Sequence, residues 1–338
     1  MTTTIDDRIR LSRSLPWWRR TSASTLFMLV LTIVVFIVFA VSSHEFLTAN
    51  NLSNLATQVS PALIVAVAMT FVITTGEIDL SVGSILAFVG VACAFLLSAG
   101  VDSTIVIPLG LLIGAAWGFI NGWLAAYQRI PSFIVTLASM SVIRGFALIM
   151  TQGYAVGAPS WTLFVKIGQG RSFGVTWVTW IAVAVAIIGA VLLHSTRFGQ
   201  YVTGIGSNQE SVRRAGVNTK RVKLMAFVFV GAMAGLAGML TTARLSSADA
   251  NTASDFGLTM VTAVVLGGTN LLGGRGSIVG TIIGSILVGA IGNGLTLLSV
   301  SPYYTPIITG CILVVVILLN MRGAELSAYL RRLTQRHD

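Results

Sequence analysis

Gly206-Ser207-Asn208-Gln209-Glu210-Ser211-Val212-Arg213-Arg214-Ala215-Gly216 lies at the centre of a polar interruption, residues 195–223. Elsewhere the chain is apolar for about twenty residues at a time, the length of a membrane span. The interruption carries Arg197, Glu210, Arg213, Arg214, Lys220, Arg221 and Lys223. Ser207 or Asn208 is placed to cap a short helix and Gly216 to end it, which predicts about two amphipathic turns standing in water. A long basic loop between spans belongs on the cytoplasmic side of a membrane. A structured loop there is a handle for a soluble partner.

The bulk numbers agree with that layout. Of 338 residues, 55% are hydrophobic and only 9% charged, far from the composition of a water-soluble domain. The net charge of +10 sits at the ends of apolar runs rather than in a nucleic-acid-binding stripe. Cys93 and Cys311 fall inside apolar runs, with neither metal-ligand spacing nor a disulfide framework. There is no Gly-rich phosphate loop, so ATP hydrolysis by this chain is excluded, and no cofactor or metal site is expected.

Apolar runs predict ten spans at 24–43, 54–75, 82–100, 104–127, 131–151, 175–194, 223–243, 256–270, 277–298 and 303–320. The expected fold is therefore an all-α polytopic membrane protein of about ten helices, with short re-entrant or broken segments and both termini cytoplasmic. A basic segment, 1–23, precedes the membrane domain, 24–320, and a basic tail, 321–338, follows it. The first apolar run also resembles a signal peptide, but so many later spans favour an uncleaved helix. Basic residues test the layout. Arg8, Arg10, Arg13, Arg19, Arg20, Arg129, the six between 197 and 223, Arg275, Arg322, Arg331, Arg332 and Arg336 all fall inside; these are seventeen of the 21. The longest outer connection, 151–174, is rich in glycine and aromatics. It reads as a lid, a landing surface for a delivery protein, or interfacial packing.

Four features carry chemistry. In Thr75-Gly76-Glu77-Ile78-Asp79-Leu80-Ser81-Val82-Gly83-Ser84, two carboxylates stand between apolar runs, where charge is costly without water or a partner. Asp79, Ser81 and Gly83 mark either the cap of a tight re-entrant turn or contact with a moving gate. Asn121, in Gly118-Phe119-Ile120-Asn121-Gly122, is either an interhelical hydrogen bond or a group for a hydroxylated solute. Phe133, Thr136, Ser139 and Asn293 extend the same weakly polar path. Arg144 reads as a group snorkelling outward, a structural ion pair with Asp249 or Asp255, or a substrate contact, the ion pair being preferred. The glycine-dense stretch 266–276 is tolerable at membrane depth only when buried in protein or beside water, and it suggests an internal duplication with 76–83.

Taken in order, several stretches resemble permease subunits of bacterial ABC importers for monosaccharides, the ribose/xylose/arabinose type. They are Ile78-Asp79-Leu80-Ser81-Val82-Gly83-Ser84, Pro131-Ser132-Phe133-Ile134-Val135-Thr136-Leu137, Ala243-Arg244-Leu245-Ser246-Ser247-Ala248, Ala263-Val264-Val265-Leu266-Gly267-Gly268-Thr269 and Gly274-Arg275-Gly276. The resemblance runs over about 46–320. It implies that the segment holding Asn208, Glu210, Arg213, Arg214 and Gly216 is a coupling helix seated in an ATP-binding subunit. It also implies an extracytoplasmic sugar-binding protein, a second permease copy or paralogue, and a place in the bacterial inner membrane. ATP is used by the partner subunit. Glu77 departs from the pattern, which has a glycine or an uncharged residue there. A branched-chain amino acid permease and an ion-coupled secondary transporter are the alternatives. The first would carry zwitterions through spans that hold little charge; the second needs acidic or His residues deep in spans, and His44, His194 and His337 lie at span ends or outside them.

Overall fold

The computed structural model describes residues 23–301 and six further positions between 303 and 314. The basic N-terminal segment, the C-terminal tail and most of the expected tenth span lie outside the described residues. Helices dominate: α1 (Ala23–Ser42), α2 (Ala49–Thr74), α3 (Val82–Ser98), α4 (Ser103–Ala126), α5 (Ser132–Thr151), α6 (Leu163–Gln169), α7 (Trp177–Ser195), α8 (Arg197–Arg214), α9 (Thr219–Leu245), α10 (Phe256–Leu266) and α11 (Ile278–Leu297). Four two-residue strands, β1 (Val156–Gly157), β2 (Arg171–Ser172), β3 (Val175–Thr176) and β4 (Ser247–Ala248), form two antiparallel pairs, β1 with β4 and β2 with β3. Among the described residues, seven helices are long and apolar enough to cross a membrane: α1, α2, α4, α5, α7, α9 and α11. The other two apolar helices, α3 and α10, are shorter.

The connections sort to two ends. After α2, α4, α8 and α10 they meet at one end: Ile78 N donates to Ser132 Oγ (3.1 Å), Gly274 N to Thr74 O (2.9 Å), and Lys220 Nζ lies 5.5 Å from the Tyr127 ring. The connections after α1, α3, α5 and α9 meet at the other. There Ser98 Oγ donates to Gly157 O (3.1 Å), Phe164 N to Ser103 Oγ (3.2 Å) and Ala158 N to Ser246 O (2.9 Å). This alternation is what successive crossings of one layer produce.

Two packing devices build the bundle. The first joins α4 to α9. Gly110, Gly114, Gly118 and Gly122 recur every fourth residue, so they share one face of α4. A Cβ at Gly118 would overlap the carbonyl oxygen of Phe227, and one at Gly114 that of Gly231. The backbones therefore touch, as small residues allow where no hydrophobic drive separates helix from lipid. The second device is α2, whose side chains from Val59 to Thr74 are nearly all buried and form the central post. By contrast α1 shows Leu26, Val30, Ile33, Ile37 and Val41 to the surroundings, a lipid-facing helix.

Two helices start in the interior of the bundle. Along α9, Lys223 reaches Glu77 while Gly238 packs on the backbone of Leu86. Fifteen helical residues separate those contacts, about 22 Å. Residues 77–80 accordingly bridge that distance without regular structure, and α3 begins well inside the bundle. The start of α10 lies beside it: a Cβ at Gly257 would overlap Leu80 O, and one at Gly83 would overlap Ala253 O. From there α3 runs outward, and α10, only 11 residues long, runs toward the opposite end. The sequence expectation of a full span over 256–270 is thus corrected: at about 16 Å, α10 covers about half of a 30 Å hydrocarbon core. The two helices start together and diverge, α3 with 17 residues and α10 with 11.

The outer connection is anchored by packing. Phe164 and Val165 are buried, Gly168 lies against Ala243, and Gln169 Nε2 donates to Ser246 Oγ (2.9 Å). Tyr154, Trp161 and Phe173 are left exposed around it.

Candidate functional site

At one end of the bundle α8 is bent by Asn208, which is extended (φ −159, ψ 95) inside an otherwise helical run. Its Oδ1 accepts from Ser211 N at 3.0 Å, the N-cap of a second short helix. Gly216 takes φ +85 and closes that helix, with Gly216 N donating to Arg213 O (3.0 Å) and Val217 N to Val212 O (3.3 Å). Of the two residues the sequence offered as caps, Asn208 does the capping. On the free face Glu210 takes both Nε and Nη2 of Arg213 (2.8 Å each) and Nε of Arg214 (3.1 Å). Hydrogen bonding to Arg213, then to Arg214, holds the Glu210 carboxyl below its ordinary range. The interruption is more helical than the sequence suggested. The stretch from Arg197 to Ser207 is an amphipathic helix that buries Gly199, Val202 and Ile205.

The base of this element is bolted to two other turns. Gly206 lies so close to Thr74 O and Gly274 N that a side chain would collide with both. Ser207 Oγ is 3.5 Å from Gly274 O, and Gly273 packs on Gly206 and Gly76. Within the glycine-dense stretch Gly267 and Gly273 are buried in protein, whereas Asn270, Leu271, Leu272 and Arg275 are exposed. Glu77, the residue outside the expected pattern, has a partner: Lys223 Nζ at 2.6 Å, with side chains only 17% and 14% exposed. Turns 75–81, 267–277 and the α8–α9 connection are thus in direct contact with one another.

A second polar cluster lies deeper. Asp79 is fully buried, and its Oδ1 accepts from Ser81 N (2.9 Å) and Ser81 Oγ (2.6 Å). Asn121 Nδ2 donates to Ser81 Oγ (2.8 Å), and Ser139 Oγ donates to Asn121 Oδ1. Thr136 Oγ1 donates to Ser132 O (2.9 Å) and lies 3.4 Å from Ile78 O. This network clamps the 77–81 segment between α4 and α5. Ser81 precedes α3 but makes no side-chain cap; Asp79 takes the Ser81 N–H instead, a local Asx turn. Among the described residues, Asp79 Oδ2 and Ser84 Oγ have no hydrogen-bond partner. Gly83 is where the backbone of α3 meets that of the 253–256 bend.

The residues expected along a solute path separate. Asn121, Thr136 and Ser139 are buried inside the network, with both ends of the Asn121 amide engaged. Phe133 is on the surface of α5. Asn293 exchanges two amide hydrogen bonds with Asn51 (2.9 and 3.0 Å) and borders a cavity of about 500 Å³ between α2, α10 and α11. Arg144 hydrogen-bonds backbone in place of a direct ion pair: its Nη1 donates to the carbonyls of Ala250 and Thr252, holding the bend before α10, with Asp249 near enough to interact with it electrostatically. Sequence reasoning passed over the cavity residues Gln58, Thr259, Ser285 and Thr296. The available signal was the i, i+4 pair of amides Asn54 and Gln58 at the start of an apolar run.

The family described as branched-chain amino acid transport system / permease component matches residues 51–317. The chain is similar to the ribose import permease protein of Escherichia coli strain K12, 38% identical over 90% of this chain and 94% of the relative. It is also similar to the ribose import permease protein of Bacillus subtilis strain 168, 39% identical over 86% and 90%. A third relative is the L-arabinose ABC transporter permease protein of Azospirillum brasilense, 36% identical over 90% and 88%. No solved structure matches the chain.

Proposed function

We propose that this chain, which belongs to that permease family, imports a pentose, the class of sugar named in its ribose and arabinose relatives. It is the membrane-spanning permease subunit of an ABC importer, a multi-pass protein of the bacterial inner membrane and not an enzyme. An ATP-binding subunit docks on the capped helix from Asn208 to Gly216, with Glu210, Arg213 and Arg214 on its surface. An extracytoplasmic binding protein delivers the sugar to the opposite end, and a second permease copy or paralogue completes the path. In this reading ten spans place both termini in the cytoplasm, and the basic 1–23 and 321–338 segments flank the membrane domain.

The single observation that carries the reading is the seating of α8. A helix capped at both ends presents charge to solvent while its base contacts the turn that leads into α3 and the turn that follows α10. ATP closing its subunits would push on α8. The push would pass through Gly206 to the 273–274 turn and α10, and through the Glu77–Lys223 pair to the 77–81 segment and α3. Asp79, Ser81 and Gly83 sit at the far end of that lever, which supports a gating role beside the turn geometry. The cavity between α2, α10 and α11 is lined by neutral side chains, which favours a sugar over a zwitterionic amino acid, whose two charges would meet no counter-charge there.

The test is ATP hydrolysis by the chain co-expressed with its ATP-binding subunit and binding protein in nanodiscs, against pentoses, hexoses, polyols and branched-chain amino acids. Stimulation by ribose or arabinose is expected. Stimulation only by leucine, isoleucine or valine would return the chain to the literal description of its family.

A further inference from the structure

We infer that the cavity between α2, α10 and α11 holds the neutral, polyhydroxylated substrate during passage, with Gln58 as its principal hydrogen-bonding side chain. This rests on the importer reading and gives that reading a site. Gln58 lies about 14 Å along α2 from the helix's outer start. A free amide at that depth is unfavourable against hydrocarbon, so its face meets water or a polar partner.

Other polar side chains on this stretch of α2 are satisfied by protein. Asn51 pairs with Asn293, Ser53 Oγ donates to Gly174 O, Thr57 bonds Thr176, and Ser60 bonds Thr179. Gln58 and Asn54, one turn nearer the outer end, are exposed and bonded to none of the described residues. Their spacing of four puts them on one face, a polar stripe descending from the outer end.

That stripe ends in the cavity of about 500 Å³, which no charged side chain lines. Two other openings, of about 330 and 280 Å³, are lined almost wholly by apolar residues and suit lipid chains. Within the polar cavity the hydroxyls have defined roles. Thr259 donates to Asp255 O, Ser285 to Thr281 O and Thr296 to Gly292 O. Each therefore turns acceptor lone pairs toward a ligand, while Gln58 offers both donors and an acceptor. Phe256 adds an apolar wall for the C–H face of a ring. The set fits a sugar, whose hydroxyls donate and accept in close alternation. Phe256 also begins α10, whose other end leads into the 267–277 turn under α8, so motion at α8 reaches this site through one short helix.

The assembled transporter, in a Cys311→Ser background, would carry Gln58→Cys or, as a lipid-facing control, Val34→Cys. A water-soluble, membrane-impermeant thiol reagent is expected to modify Gln58→Cys at least ten times faster than Val34→Cys. Ribose- or arabinose-loaded binding protein should slow that reaction several-fold. In uptake assays Gln58→Leu should lose about ten-fold in rate, and Gln58→Asn should recover part of it. Equal reactivity of the two cysteines, or wild-type uptake by Gln58→Leu, overturns the site. If the wild type transports neither pentose, the functional reading fails, while the labelling ratio still decides whether the cavity is aqueous.

Discussion

The end of the bundle at α8 and the interior around Asp79 use polar residues in opposite ways. At α8 the charges of Glu210, Arg213 and Arg214 face solvent, and their mutual contacts are of the surface kind that contributes little to stability. Around Asp79 the groups are buried, and Ser81, Asn121 and Ser139 form a connected set in which each member satisfies the next. Removing one partner inside a buried network leaves another unsatisfied, which costs far more than removing a surface contact. The first region can change partners without unfolding; the second holds its shape. The proposed coupling to an ATP-binding subunit calls for both, a free arm and a rigid fulcrum. The Glu77–Lys223 pair joins them.

Substitutions should rank accordingly. Gly118→Leu forces α4 away from Phe227 and is expected to abolish accumulation of folded protein, read by detergent-extracted yield and size-exclusion profile. Glu77→Ala, which leaves Lys223 nearly buried without its partner, should destabilise by about 3 kcal/mol. Glu77→Gln with Lys223→Met should recover much of that loss in a double-mutant cycle followed by thermal unfolding. Asn121→Leu strands Ser81 and Ser139 and should cost about 2 kcal/mol by the same assay. Asn208→Ala removes the cap of the second half of α8; about 1 kcal/mol of local helix stability is lost. The midpoint of global unfolding should barely move, whereas stimulated ATP hydrolysis falls. Arg213→Ala should leave unfolding unchanged and reduce only the stimulation. If Arg213→Ala destabilised as much as Asn121→Leu, the contrast between the two regions would collapse.

Local chemistry was legible in the sequence. Asn208 and Gly216 could be assigned because a cap depends on residues three positions apart and a closing turn on one glycine. Seven of the ten expected spans correspond to helices long and apolar enough to cross, α1, α2, α4, α5, α7, α9 and α11, while those at 82–100 and 256–270 correspond to the shorter α3 and α10. Long-range pairing was not legible. Glu77 and Lys223 stand 146 residues apart, and each alone read as an isolated charge. Asn121 offered two readings because an amide has the same chemistry in a path and in a network; only its neighbours Ser81 and Ser139 separate them. The short reach of α10 was hidden because Gly267 and Gly268 continue the apolar pattern after the helix has ended. Arg144 looked like half of an ion pair, but backbone carbonyls of a bend serve a guanidinium as well.

The central claim is that the helix between Asn208 and Gly216 is the contact for the ATP-binding subunit. Ser211, exposed on that helix, is the position to probe. A photo-activated cross-linker placed on Ser211→Cys, in a Cys311→Ser background co-expressed with the ATP-binding subunit, should yield a single adduct of the two chains. ATP should change its yield. A cross-linker at Ser211→Cys that captures no ATP-binding subunit, with the same cysteine labelled from the outer face of intact cells, would contradict the account.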